Sequence, residues 1–301
     1  MNAWERSPRA LEVTPEEDLE AFVVERPLKG APVTPLVFAS PHSGRIYPRT
    51  LNARLAAPAI RGSEDAFVDE LIAPAPRFGV RAIAARLARV FVDVNRHPFE
   101  LDPAMFEDDL PHWARARTPR VAAGLGAIAK IVREGEEVYD RKLSFSEARW
   151  RIEAAHRPYH AALSALVAEA KAAAGLAILV DWHSMPTPPA GALPCRGRPA
   201  DIVIGDRFGC SCASAVARLF EAALTDLGYR VARNSPYAGG YTTEHYGAPG
   251  AGVHALQIEI ARSLYLEEAS LTPTAGFAAL AADLERLFAL VAGLDWRALT
   301  R

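Results

Sequence analysis

The stretch Leu176-Ala177-Ile178-Leu179-Val180-Asp181-Trp182-His183-Ser184 decides how this chain is read. Leu176 to Val180 is a short continuous apolar run that follows Gly175 and ends in polar residues. Such a run reads as a strand buried on both faces, the habit of a parallel sheet covered by helices. Asp181 and His183 stand two residues apart, so on a strand both side chains project to one side. The same form recurs along the chain. Leu36 to Ala39 runs into Ser40-Pro41-His42-Ser43-Gly44, and Val90 to Val94 runs into Asn95-Arg96-His97-Pro98. Val253 to Ile260 keeps Glu259 inside an apolar run. Val80 to Ala84, Ile202 to Ile204 and Tyr229 to Ala232 read as further strands.

Helical patterns alternate with these runs. Residues 64–73 give a turn or two, 146–174 a long Ala-rich helix interrupted at Pro158, 210–227 a helix closed by Gly228, and 275–292 an amphipathic helix. Thr14-Pro15-Glu16-Glu17 reads as a capped helix start. Segments 99–123 and 185–199 are Pro-punctuated loops. Short strands alternating with longer helices predict an α/β fold with the sheet covered on both faces. With no internal repeat and no linker, the expectation is one domain over 1–301, its core about 30–270, with an N-terminal and a C-terminal helix packed on it.

Composition excludes several classes. The 301 residues are 50% hydrophobic and 23% charged, which is globular. A net charge of −2 calls for neither nucleic acid nor an anionic membrane as partner. Three cysteines make no disulfide framework, and Cys195, Cys210 and Cys212 lack the spacing of a metal site. No apolar run reaches the roughly 18 residues of a membrane span, and the N-terminus lacks the apolar core of a signal peptide. A cytoplasmic location is expected.

In open α/β sheets, ligands bind beyond the carboxyl ends of strands. Here those ends offer His42, then Asn95 and Arg96, then Asp181 and His183, then Glu259. Pro41 and Gly44 suggest a fixed turn that aims the His42 imidazole. Asp181 could orient His183. Two histidines, one carboxylate and an open position for water make the ligand set of a catalytic zinc hydrolase. Glu259 suits a general base, because an unpaired carboxylate in an apolar strand is costly without a use. An ion pair with Arg262 or Arg96 is the plain alternative. Arg96 suits bidentate capture of a carboxylate, against a plain salt bridge with Asp93 or Asp181. The loop Asn234 to Tyr241 could supply polar donors and, at Gly239-Gly240, close backbone approach. A tight turn is the alternative there.

Six segments, SPHSG (40–44), EDAFVDEL (64–71), RVFVDVNRHP (89–98), VDWHS (180–184), ARNSPYAGGYTTEHYG (232–247) and HALQIEIARSLYL (254–266), resemble in order the N-formylglutamate amidohydrolase family. The resemblance implies a zinc-dependent amidohydrolase with a fold similar to that of zinc carboxypeptidases: a single α/β domain, its mixed, mostly parallel sheet sandwiched between helices. It implies hydrolysis of N-formyl-L-glutamate to formate and L-glutamate, a step of histidine degradation. Carried over, His42 and His183 are metal ligands for one Zn2+ ion. Asp65 is the acidic ligand, with Glu64 as the adjacent competitor. Glu259 is the general base. Arg96 with Asn95, or Arg262, binds the substrate carboxylate, and Asn234, Tyr237 and Gly240 line the substrate site. The implied partner is a small N-acyl amino acid. Of the eight histidines, His97, His245 and His254 lie in these segments without a task, and His112, His156 and His160 read as ordinary. A serine hydrolase using Ser43 or Ser184 is the competing chemistry, although no G-x-S-x-G elbow encloses either. A metabolite-binding protein without catalysis is another.

Overall fold

The protein is described here from a computed structural model that covers residues 19–133, 135–187 and 199–300. The helix start at Thr14, Cys195 and most of the 185–199 loop lie outside the described residues. The chain forms two compact units interleaved in sequence. One holds residues up to Val23, Pro41–Ala66 and Ala84–Ala162; the other holds Val24–Ser40, Phe67–Ile83 and Leu163 onward.

A seven-stranded sheet organises the fold. Its strands are β1 (Phe22–Glu25), β2 (Leu36–Ser40), β3 (Arg81–Ala85), β4 (Ala177–Met185), β5 (Ile202–Gly205), β6 (Val231–Arg233) and β7 (Val253–Ala261). Their order across the sheet is β1-β3-β2-β4-β7-β5-β6. The β2–β4, β4–β7 and β5–β6 pairs are parallel and β5–β7 is antiparallel. All nine residues of β4 are buried, which is why its sequence reads as a continuous run rather than an alternation. On one face Phe38, Trp182 and Phe288 form an aromatic cluster with ring centroids 5.1–5.8 Å apart. Phe288 comes from the helix Ala275–Ala292, which buries Leu280, Leu284, Leu287, Phe288 and Val291 on one stripe. The other face of β4 and β7 carries Asp181, His183, Gln257 and Glu259.

Two strand assignments need correction. The sequence placed the end of the central strand at Val180, but β4 runs on through Asp181-Trp182-His183-Ser184 to Met185. Its polar residues are therefore members of the ladder and not a loop beyond it. Val90 to Val94 is not a strand: Phe91 N–H closes a turn on the Ala88 carbonyl, and Asp93 N–H donates to the Ala127 carbonyl. Val90, Phe91 and Val92 are buried in the apolar cluster of the first unit, together with Leu101, Ile128 and Leu143. A run of apolar residues signals burial, and in this unit burial does not entail pairing in a sheet.

The expected interruption of the long helix is a π-helical turn. The helix Phe145–Arg151 passes through the π turn Ile152–His156 into the helix Arg157–Ala174. Pro158 lies just past this turn, as the second residue of the helix that follows. Residues 99–123 hold short helical turns at Pro103–Met105 and Pro119–Ala122 and otherwise follow an irregular path.

Candidate metal centre and active site

His42 lies two residues beyond β2 and is 3% exposed. Its Nε2 hydrogen-bonds Asp93 Oδ1 at 2.7 Å, and its Nδ1 faces Asp65 Oδ2 at 3.4 Å. A carboxylate oxygen only accepts, so Nε2 carries the proton and Nδ1 presents its lone pair. Asp93 also accepts from Arg89 Nη2 at 2.6 Å and from the Asn95 N–H at 2.8 Å. Burial alone would raise the Asp93 carboxyl, but Arg89, His42 and Arg96 outweigh it and hold the group well below the usual carboxylate range. The turn that aims His42 needs Gly44 for close approach and not for a positive φ: a Cβ there would stand 2.1 Å from the Leu87 carbonyl oxygen. Asp65 is tied into the same turn by its N–H on the His42 carbonyl at 2.9 Å. Its neighbour Glu64 turns to Tyr47 and Arg61. Burial pushes the Glu64 carboxyl up, against the pull of both.

In the sheet, His183 of β4 is the register partner of Glu259 of β7, and Asp181 that of Gln257. Register partners on adjacent parallel strands share a face. His183 Nε2 lies 3.0 Å from Asp181 Oδ2, two residues before it on the same strand. A carboxylate oxygen only accepts, so this pair again puts the ring proton on Nε2 and the lone pair on Nδ1. Gln257 Nε2 donates to Glu259 Oε1 at 2.7 Å, so one amide holds the Glu259 carboxylate in place. Beyond the end of β7, Arg262 is buried and its Nε donates to Ser184 Oγ at 3.1 Å. Ser184 is thereby an acceptor for a guanidinium, a poor arrangement for a nucleophile that needs a base on its hydroxyl.

The buried His42, Asp65 and His183 offer ligand atoms that all lie within 4.8 Å of one another, a group that could hold a metal ion. Two neutral imidazoles and one carboxylate suit zinc. Each imidazole is already fixed at Nε2 by its own aspartate, Asp93 or Asp181, the arrangement that orients metal-bound histidines.

Other expected site residues have structural partners. Arg96 donates from Nε to the Leu125 carbonyl at 3.0 Å and from Nη1 to the Asn95 carbonyl at 2.9 Å, and it lies 3.9 Å from Asp93. Asn95 is buried beside it. The Asn234 amide is engaged by the Asp206 N–H, the Phe208 N–H and the Asp206 carboxylate, which makes it a brace for its loop. Gly240 caps a helix the sequence did not suggest, Tyr241–Tyr246, and accepts the Thr243 hydroxyl. Tyr237 is 39% exposed. Among the cysteines, Cys212 is buried and its thiol is pushed up to about 12, mainly by burial. Three site residues escaped the reading. Asp93 had the same signal as Glu259, a carboxylate inside an apolar run. Gln257 carried the weaker signal of an amide in a buried strand. Arg89 had none beyond its spacing of four from Asp93.

The model of the N-formylglutamate amidohydrolase family matches residues 34–266. The chain belongs to the N-formylglutamate amidohydrolase family. The matched span holds every residue of the candidate centre, from His42 to Arg262. An N-formylglutamate deformylase of Pseudomonas aeruginosa is 31% identical over 78% of this chain and 83% of its own length. One from Pseudomonas putida is 29% identical over 78% and 82%. The crystal structure of an N-formylglutamate amidohydrolase from Ralstonia eutropha JMP134 is 38% identical, covers 92% of this chain and 99% of its own, and superposes with a TM-score of 0.86. A gene product of Agrobacterium tumefaciens, 23% identical with a TM-score of 0.61, shares the fold over 90% of this chain and 94% of its own. Family membership accounts for the mixed, mostly parallel sheet with its flanking helices.

Proposed function

We propose that this protein is a zinc-dependent amidohydrolase that cleaves N-formyl-L-glutamate to formate and L-glutamate, as in histidine degradation. The observation that carries the proposal is the buried group His42, Asp65 and His183, with Glu259 the register partner of His183. The deformylase relatives supply the substrate class. When bound, zinc would polarise the formyl carbonyl and make water a usable nucleophile near neutral pH. The chain's own residues do the rest. Asp93 and Asp181 keep the ring proton of both imidazoles on Nε2 and so leave the Nδ1 lone pairs for the metal. Glu259, steadied by Gln257, takes the proton of the attacking water and delivers it to the departing amine. The substrate carboxylate is assigned first to Arg262, whose guanidinium plane is set by Ser184 in the turn after Glu259. Arg96, with two N–H groups already spent on carbonyls, is the second choice.

The test is Glu259→Gln. Zinc content should stay at one ion per chain while formate release from N-formyl-L-glutamate disappears; an active variant would remove Glu259 from the mechanism. Chelation of the wild type should abolish activity and added zinc restore it. Full activity after exhaustive chelation would refute the metal. A screen of N-formyl and N-acetyl amino acids that places another substrate well ahead of formylglutamate would correct the substrate and leave the chemistry standing.

A further inference from the structure

Residues 90–94 read as a strand in sequence, but they and the adjoining Asn95 and Arg96 lie outside the sheet, so the buried carbonyls here need partners other than a ladder. The interrupted helix supplies them. Arg151, fully buried at the end of its first segment, donates Nη1 to the Phe91 carbonyl at 3.3 Å. His156, the last residue of the π turn, bonds the Arg96 carbonyl from Nε2 at 2.9 Å. His160, one turn on, bonds the Val94 carbonyl from Nε2 at 2.7 Å. The two imidazoles are four residues apart and share a helix face, with ring centroids 4.5 Å apart. Carbonyls only accept, so both histidines donate from Nε2. Burial pulls the His156 imidazole down to about 4, which keeps it neutral near pH 7. The carbonyls they hold bracket Asn95 and follow Asp93, whose carboxylate meets His42 at 2.7 Å.

We propose that His156 and His160 are positioning residues for catalysis: by clamping the Val94 and Arg96 carbonyls, they fix the segment that aims Asp93 at His42. The π turn brings this about locally, because a helix with one residue added per turn changes the direction its following side chains face. The proposal rests on the reading of His42 as a metal ligand, and the test separates the two.

Four variants, His156→Leu, His156→Gln, His160→Leu and His160→Gln, are compared with wild type and with His42→Ala. Zinc affinity is measured by chelator competition, and thermal midpoints and the KM and kcat for formate release are measured alongside. Each Leu variant should weaken zinc binding about 10-fold, the lower end of the range for groups that orient metal ligands. Each Gln variant keeps an N–H donor and should recover zinc affinity. If His156→Leu does not fold, the half-buried His160 carries the same comparison. Leu variants with wild-type zinc affinity, beside a zinc-defective His42→Ala, would overturn the positioning role alone. Gln variants as impaired as the Leu variants would also overturn it, since the donor would then be irrelevant. A His42→Ala protein that binds zinc like wild type would overturn the ligand reading beneath it.

Discussion

Replacing Asp93 by Asn tests the logic of the centre most directly. The side chain keeps its volume and one oxygen, so His42 and the Asn95 N–H retain an acceptor. What is lost is the charge, and with it the 2.6 Å bond from Arg89 and the 3.9 Å attraction of Arg96. A charge-assisted hydrogen bond contributes roughly 1.5–3 kcal/mol. The Arg89 side chain is 21% exposed and is partly solvated once released, so the loss should sit near 2 kcal/mol at pH 7. The effect on metal is separate. Without a carboxylate on Nε2 the His42 imidazole is less basic and less firmly aimed, and zinc affinity should fall about 10–100-fold, or roughly 1.4–2.7 kcal/mol. The pH dependence carries a sign. The folded Asp93 carboxyl lies well below its unfolded value, so its contribution is complete above the unfolded pKa of about 4 and is lost as pH falls through the folded value. The gap between wild type and Asp93→Asn should therefore narrow in strong acid. Urea unfolding of the metal-free proteins across pH, with zinc competition at pH 7, measures both effects. Unchanged zinc affinity together with unchanged stability at pH 7 would refute the reasoning.

Two further outcomes follow from single contacts. Gly44→Ala would drive a Cβ against the Arg86–Leu87 backbone, where nothing flexible can yield, and should cost about 1–3 kcal/mol in thermal unfolding together with a loss of zinc affinity, because the His42 turn must shift. His156 is held neutral when folded, down to about 4, and titrates near 6.5 when unfolded. Its share of stability is thus present above pH 6.5 and is lost as pH falls toward 4, about 3 kcal/mol in all. His156→Gln should flatten unfolding free energy across that window, and an unaltered slope would contradict the buried, neutral state.

The sheet and the polar ends of its strands were legible because a parallel sheet imprints itself as unbroken apolar runs. β2, β4, β5 and β7 are read within a residue or two at their starts, and the C-terminal helix is read from Ala275 to Ala292. β1 was missed because Phe22–Glu25 is only half-buried and too short for a pattern. Val90 to Val94 was misread for the opposite reason: it is as buried as a central strand, but its backbone is satisfied by a turn and by helix side chains that no local pattern reveals. His42, Asp65 and His183 could be chosen as a set because the resemblance supplied the residue between the two histidines. From spacing alone Glu64 and Asp65 are equal, and only the three-dimensional turn sends Glu64 to Tyr47. His156 and His160 were passed over because a histidine pair at helical spacing says nothing of the carbonyls it will meet.

The pairing of β4 with β7 has a consequence for folding fidelity. The two strands match residue for residue from Ala177 with Val253 to Met185 with Ala261. A one-residue slip of either strand would turn Trp182 or its register partner Ile258 off the buried face and put Asp181, His183 or Glu259 in its place. The apolar cost of that error is borne by the same strands that carry the chemistry. Selection for a well-packed interior therefore proofreads the alignment of these polar residues, and a molecule that has completed its core has also brought Glu259 alongside His183.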